Sequence, residues 1–166
     1  MIQKKICILG SYAVGKTSLV RQFVHSIFSE TYLSTLGVTI EKKTVAIDGE
    51  EVALVIWDVA GEEDDFQIPM TYVRGAAGYL LLVDGTRPAT LEAALDIRER
   101  VQQALGPIPH VILLNKADLP DAWALGEGTP EPLQDQPWPV FQTSAKTGAH
   151  VEEAFHALAE AALRGR

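Results

Sequence analysis

Gly10-Ser11-Tyr12-Ala13-Val14-Gly15-Lys16-Thr17 constrains what this chain can fold into more than any other stretch. It matches G-x-x-x-x-G-K-[ST], directly follows the apolar run Ile6 to Leu9, and leads into a helical segment. Gly10 and Gly15 allow backbone angles and close approaches that a β-carbon forbids. The N–H groups of Ala13, Val14, Gly15, Lys16, Thr17 and Ser18 then converge at a helix N-terminus, where the peptide dipoles favour an anion. Lys16 supplies a point charge suited to the β- and γ-phosphates of a nucleotide, and the Thr17 hydroxyl suits Mg²⁺. A glycine-rich turn without a ligand is the plain alternative, and it fits this strand–loop–helix context poorly. On its own the loop signals nucleotide binding and nothing narrower.

The rest of the chain alternates short apolar runs with helical patterns. Ile6 to Leu9, Val52 to Trp57, Tyr79 to Val83, Val111 to Leu114 and Val140 to Phe141 read as buried strands. Leu91, Ala94, Leu95, Val101 and Leu105 recur near helical spacing, as do Val151, Ala154, Phe155, Leu158 and Ala162. The alternation predicts a mainly parallel sheet with helices on both faces. Val38 to Trp57 departs from it: Ile47-Asp48-Gly49-Glu50 predicts an antiparallel hairpin. Between Leu119 and Pro139, five prolines with Gly126 and Gly128 leave little room for a regular helix. No internal repeat or domain boundary is visible, so the 166 residues read as one domain.

The net charge of -8 argues against nucleic-acid or anionic-membrane binding, which needs a basic face. Any phosphate site must therefore be local. The single cysteine, Cys7, excludes an intramolecular disulfide framework and reads as a small buried hydrophobe. The amino-terminal residues do not look like a signal peptide, and no apolar stretch could span a bilayer. Position 2 is Ile, and the last six residues contain no cysteine, so the expectation is a cytosolic, monomeric chain without a lipid anchor.

Two further motifs narrow the ligand. Trp57-Asp58-Val59-Ala60-Gly61 places an aspartate at a strand end, where it suits contact with Mg²⁺ through water, and Gly61 can turn its N–H toward a γ-phosphate. D-x-x-G alone is common; its position after the phosphate loop gives it weight. Asn115-Lys116-Ala117-Asp118 follows a buried strand, and the Asp118 carboxylate can accept from guanine N1–H and N2–H₂, which adenine cannot supply. The Lys116 stem can cover the base plane and Asn115 can tie this loop to the phosphate loop. Thr143-Ser144-Ala145-Lys146 completes the pocket, with the Ala145 N–H toward guanine O6. N-K-x-D alone could be a helix-capping loop. Four motifs in this order leave coincidence negligible.

These residues resemble the Ras superfamily of small GTPases, the Rab branch most of all, over nearly the whole chain. Phe28-Ser29-Glu30-Thr31-Tyr32-Leu33-Ser34-Thr35-Leu36-Gly37-Val38 is similar to the first switch of Rab proteins, and Tyr72-Val73-Arg74-Gly75-Ala76-Ala77-Gly78 to the stretch after their second switch. The resemblance implies a Ras-like G domain of the P-loop NTPase class. That is a three-layer α/β fold with a six-stranded, mostly parallel sheet and about five helices. It implies that Thr35 caps Mg²⁺ beside Thr17 and Asp58 in the GTP state, and that Phe28 packs on the guanine edge. It also implies a reaction centre of Lys16, Thr35, Gly61 and Glu62, and a switch cycle served by effectors, exchange factors and GTPase-activating partners.

Departures from the family pattern bear on rate. Glu62 stands where the family typically has the glutamine that orients the attacking water, and Tyr12 stands where a small residue is usual. The leading expectation is a GTP/GDP switch with slow Mg²⁺-dependent hydrolysis, of a kind that fits a free-standing prokaryotic Ras-like GTPase. The alternative is a GTP-binding scaffold with little turnover, which Glu62 and Tyr12 favour somewhat. A small-molecule kinase would need an Arg-rich lid, which is not visible, and the guanine motif argues against it.

Overall fold

The computed structural model describes residues 2–24, 38–59 and 67–164, together with the backbone of 30–33. Among these residues seven strands form one sheet: β1 (Ile2–Gly10), β2 (Glu30–Leu33), β3 (Val38–Ile47), β4 (Glu50–Val59), β5 (Gly78–Asp84), β6 (His110–Asn115) and β7 (Val140–Gln142). Their order across the sheet is β2-β3-β4-β1-β5-β6-β7. From β4 to β7 neighbouring strands run parallel, and β2 and β3 are antiparallel to their neighbours. The six expected strands are all present, and β2 is an addition. It pairs Glu30 with Lys42 through Leu33 with Thr39 and so covers part of the β3 edge, whose backbone groups would otherwise lack partners.

Strand alternation builds two cores. Ile6, Ile8, Leu80, Leu82, Val111 and Leu113 face α1 (Lys16–Phe23) and α3 (Val151–Leu163), where Phe23 and Phe155 stack with ring centroids 3.8 Å apart. Cys7, Leu9, Tyr79, Leu81, Ile112 and Leu114 face the other way, toward Ala94, Ile97 and Val101 of α2 (Ala89–Leu105). Cys7 is fully buried, and burial pushes its thiol up to about 12, as expected of a small apolar core residue. The hairpin between β3 and β4 turns through Asp48 (φ 51°) and Gly49 (φ 79°), the positive angles that a two-residue turn matched to strand twist requires.

Among the described residues there are three α-helices, fewer than the five that the resemblance implies. The Pro-rich stretch accounts for part of the difference. It holds only two single 3₁₀ turns, Pro120–Ala122 and Glu131–Leu133, because proline removes a backbone donor and clashes with the preceding turn. The stretch is nonetheless tied down. The Ala124 N–H donates to the Gly85 carbonyl at 2.8 Å, and Leu133 is buried in the α2-side core. The Trp123 ring lies so close to Gly85 that a β-carbon there would come within 2.0 Å of it.

His110, at the start of β6, stacks on Tyr79 with centroids 4.9 Å apart. Its Nδ1 lies 3.2 Å from the Ile108 carbonyl, so that nitrogen carries the proton, while Nε2 is buried. Burial lowers its pKa, opposed by the Ile108 carbonyl and the Gln136 side chain and reinforced by nearby Arg98. The unfolded chain therefore binds a proton that the native protein refuses as pH falls below the ordinary histidine value of about 6.5, and stability falls with it. Urea unfolding should show lower stability at pH 5 than at pH 7, with a flatter dependence in His110→Phe. Equal slopes in the two proteins would remove His110 as the cause.

Candidate functional site

The described residues of the four motifs lie at one end of the parallel strands. β1, β4, β5, β6 and β7 end at Gly10, Val59, Asp84, Asn115 and Gln142, and parallel registry keeps these ends together: Ile8 lies beside Asp58, Gly10 beside Leu82, and Asp84 beside Asn115. β1 lies between β4 and β5, where the winding of the sheet reverses, and the crevice at such a point is where open α/β sheets bind ligands. The loop after β1 enters α1 at Lys16. Gly15 has φ 103°, and a β-carbon on it would lie 2.4 Å from Asn115 Nδ2, so both backbone angle and space demand glycine.

Side chains from elsewhere hold this loop by its carbonyls. Arg87 Nη2 donates to Tyr12 O at 2.8 Å, Lys116 Nζ to Ala13 O at 3.2 Å, and Asn115 Nδ2 to Val14 O at 2.9 Å. Lys16 is buried and its Nζ donates to Ser11 O at 3.0 Å. Burial draws the Lys16 pKa down to about 8, against the pull of Asp58 and with a further push from Arg87. The Thr17 hydroxyl donates to Asp58 Oδ2 at 2.8 Å, bringing the two oxygen ligands expected for a hard cation into contact. Burial raises the Asp58 pKa, and the Thr17 bond and Lys16 oppose it. Ser18 is exposed beside Thr17.

The base-reading residues form a second network. The Ser144 hydroxyl donates to Asp118 Oδ1 at 2.7 Å and accepts from the Thr147 N–H at 3.0 Å, which fixes the carboxylate. Asn115 Oδ1 accepts from Thr143 Oγ1 and from the Ala145 N–H, both at 3.2 Å. That N–H, expected to face guanine O6, is thus directed at the Asn115 side chain. Lys116 has φ 71° and reaches toward the phosphate loop, while Lys146 is exposed.

The chain matches the Ras family over residues 5–164. It is 38% identical over 167 residues to the mouse Ras-related protein Rab-7b, covering 98% of this chain and 83% of the relative. This chain belongs to the Ras family. It is also 36% identical over 157 residues to human Ras-related protein Rab-8B, covering 93% and 76% of the two chains. With Ras-related protein Rab-10 of Caenorhabditis elegans it shares 35% identity over 161 residues, covering 96% and 80%. As a Ras-family protein near the Rab branch it is a guanine-nucleotide-binding molecular switch with GTPase activity.

Phe28, Thr35, Gly61 and Glu62 of this Ras-family chain lie outside the described residues. The structure brings together Ala13, Val14, Gly15, Lys16, Thr17, Asp58, Asn115, Lys116, Asp118, Ser144 and Ala145. Sequence reasoning missed Asp84, which is 0% exposed at the end of β5. Burial pushes its carboxyl upward, yet hydrogen bonds from Lys116, Thr86 and Arg87 prevail and hold it well below the usual carboxylate range. The signal was present: Asp84-Gly85-Thr86 follows a buried strand at the same edge as the recognised motifs. Among the described residues no helix is long and apolar enough to cross a membrane, and no group of three or more His, Cys, Asp or Glu could hold a metal ion.

Proposed function

We propose that this Ras-family switch holds its GTP state for long periods because its own hydrolysis is slow. The slow rate rests on Glu62, which stands where the family typically has glutamine; nucleotide binding rests on the meeting of the buried Lys16, the Thr17–Asp58 pair and three outwardly held loop carbonyls at the reversal point of the sheet. Lys16 neutralises β- and γ-phosphate charge, Asp118 reads guanine, and Ser144 orients Asp118. A hydroxyl touching a carboxylate, with no larger acidic cluster among the described residues, fits Mg²⁺, which takes few protein oxygens and keeps water and phosphate as its other ligands. Thr17 would hold the ion directly, Asp58 through water, and Thr35 would join them in the GTP state. Mg²⁺, when bound, neutralises charge on the phosphates.

Glu62 sets the rate in this reading. A glutamine amide both accepts from the attacking water and donates toward the γ-phosphate, whereas an ionised carboxylate only accepts and adds negative charge. At about 5 Å and an effective dielectric near 20 the repulsion is roughly 3 kcal/mol before screening, and half of that slows hydrolysis about tenfold. In single-turnover assays Glu62→Gln should hydrolyse GTP about tenfold faster than the wild type. A slower variant would assign the carboxylate a catalytic role instead. No hydrolysis in either protein would favour the second reading, a GTP-binding scaffold; Tyr12, 60% exposed on the phosphate loop, is the observation in its favour. In either case the chain works as a cytoplasmic monomer through its G domain, without a nucleic-acid partner, and meets effectors, exchange factors and activating proteins through its switches.

A further inference from the structure

We infer that Arg87 is a positioning residue that holds the peptide between Tyr12 and Ala13 in its phosphate-binding orientation and thereby lengthens the residence of bound guanine nucleotide. The inference rests on the guanine-nucleotide reading above. A trans peptide is planar, with its C=O and N–H pointing in opposite directions. A donor that draws the Tyr12 carbonyl to one side therefore turns the Ala13 N–H to the other. Lys116 acts the same way on the Ala13 carbonyl and the Val14 N–H, and Asn115 on the Val14 carbonyl and the Gly15 N–H. Three consecutive carbonyls are held from outside, so three consecutive N–H groups face the opposite side, the arrangement a phosphate requires. Two of the three donors belong to the base-reading motif. Arg87 belongs to none of the four motifs.

The loop has reason to need the third donor. Ala13 sits at φ 61°, a left-handed angle that a residue with a β-carbon adopts only when its surroundings impose it. The surroundings here are rigid. Arg87 Nε donates to Asp84 Oδ2 at 2.9 Å, and the same carboxylate accepts from Lys116 Nζ at 2.8 Å, the Thr86 N–H at 2.8 Å and the Thr86 hydroxyl at 2.6 Å. The Arg87 backbone is fixed in turn, because its carbonyl accepts from the Thr90 N–H at 2.9 Å and the Thr90 hydroxyl at 2.7 Å where α2 begins. One planar guanidinium bridges a buried carboxylate and a loop carbonyl through separate nitrogens. An ammonium has no such fork.

The test is release of fluorescent GDP from the full chain after a chase with unlabelled GDP. Arg87→Ala should release about tenfold faster than wild type, the effect of losing one charge-assisted hydrogen bond to the loop. Arg87→Lys should fall between the two. Arg98→Ala serves as the control: it removes an α2 arginine that bonds Gln136 at 2.8 Å on the Pro-rich stretch, and should leave release unchanged even where it lowers the melting temperature. In Arg87→Ala, amide hydrogen exchange at Ala13 should quicken relative to α3. Release from Arg87→Ala within twofold of wild type, or equal acceleration in Arg98→Ala, would overturn the inference while the switch reading stands. A wild-type chain that retains no GDP would overturn both.

Discussion

Asp118→Asn should lower GDP affinity by about a hundredfold or more and shift preference toward xanthine nucleotides. The carboxylate offers two acceptor oxygens to the two adjacent donors on guanine, and hydrogen bonds to a charged group contribute about 1.5–3 kcal/mol each. An amide keeps one acceptor and places a donor against a donor, whereas the 2-oxo group of xanthine matches it. The structure sharpens the expectation. Ser144 holds Asp118 Oδ1 at 2.7 Å, so the carboxylate cannot turn freely to compensate for a changed partner. Fluorescent-nucleotide titration with GDP and with xanthosine diphosphate decides the matter. Unchanged GDP affinity would remove Asp118 from base reading.

The fold and most of the site were legible because their signals are local. The phosphate loop announces itself by glycines whose φ angles and crowding the structure bears out, and the hairpin by Asp48-Gly49 at positive φ. The Pro-rich stretch was read correctly as lacking a long helix, since each proline disrupts its own turn. What escaped were partnerships across long sequence separations. Arg87 meets Tyr12 across 75 residues, and Lys116 meets Ala13 across 103. Nothing in the spacing of Asp84, Arg87 and Lys116 declares that they share one carboxylate, because the juxtaposition arises only when β5 and β6 pair with Asp84 beside Asn115. β2 was missed for a similar reason: as a four-residue edge strand it is defined by its pairing to β3.

Asn115→Ala should cost both stability and binding, because this one amide joins three loops. It is 1% exposed; Nδ2 holds the Val14 carbonyl, and Oδ1 takes the Thr143 hydroxyl and the Ala145 N–H. Removing it strands three groups at the base of the site, each worth about 1–3 kcal/mol when buried without a partner. Even the lower figure for all three gives roughly 3 kcal/mol, enough for about a hundredfold in an equilibrium. Urea unfolding should therefore show a marked loss in the variant, and GDP should restore less of it than in wild type, since linkage follows affinity. Asn115→Asp tests the Val14 tether directly. It keeps the Oδ1 acceptor for Thr143 and Ala145 but replaces the Nδ2 donor with a second acceptor facing the Val14 carbonyl. The expected result is a loss of stability at least as large as in Asn115→Ala, because a buried carboxylate then faces the Val14 carbonyl without a donor between them, with GDP affinity still lowered about a hundredfold because the phosphate loop loses its tether. An aspartate variant that binds GDP like wild type would show that the Val14 tether is dispensable, and that the amide acts on the base-reading side alone.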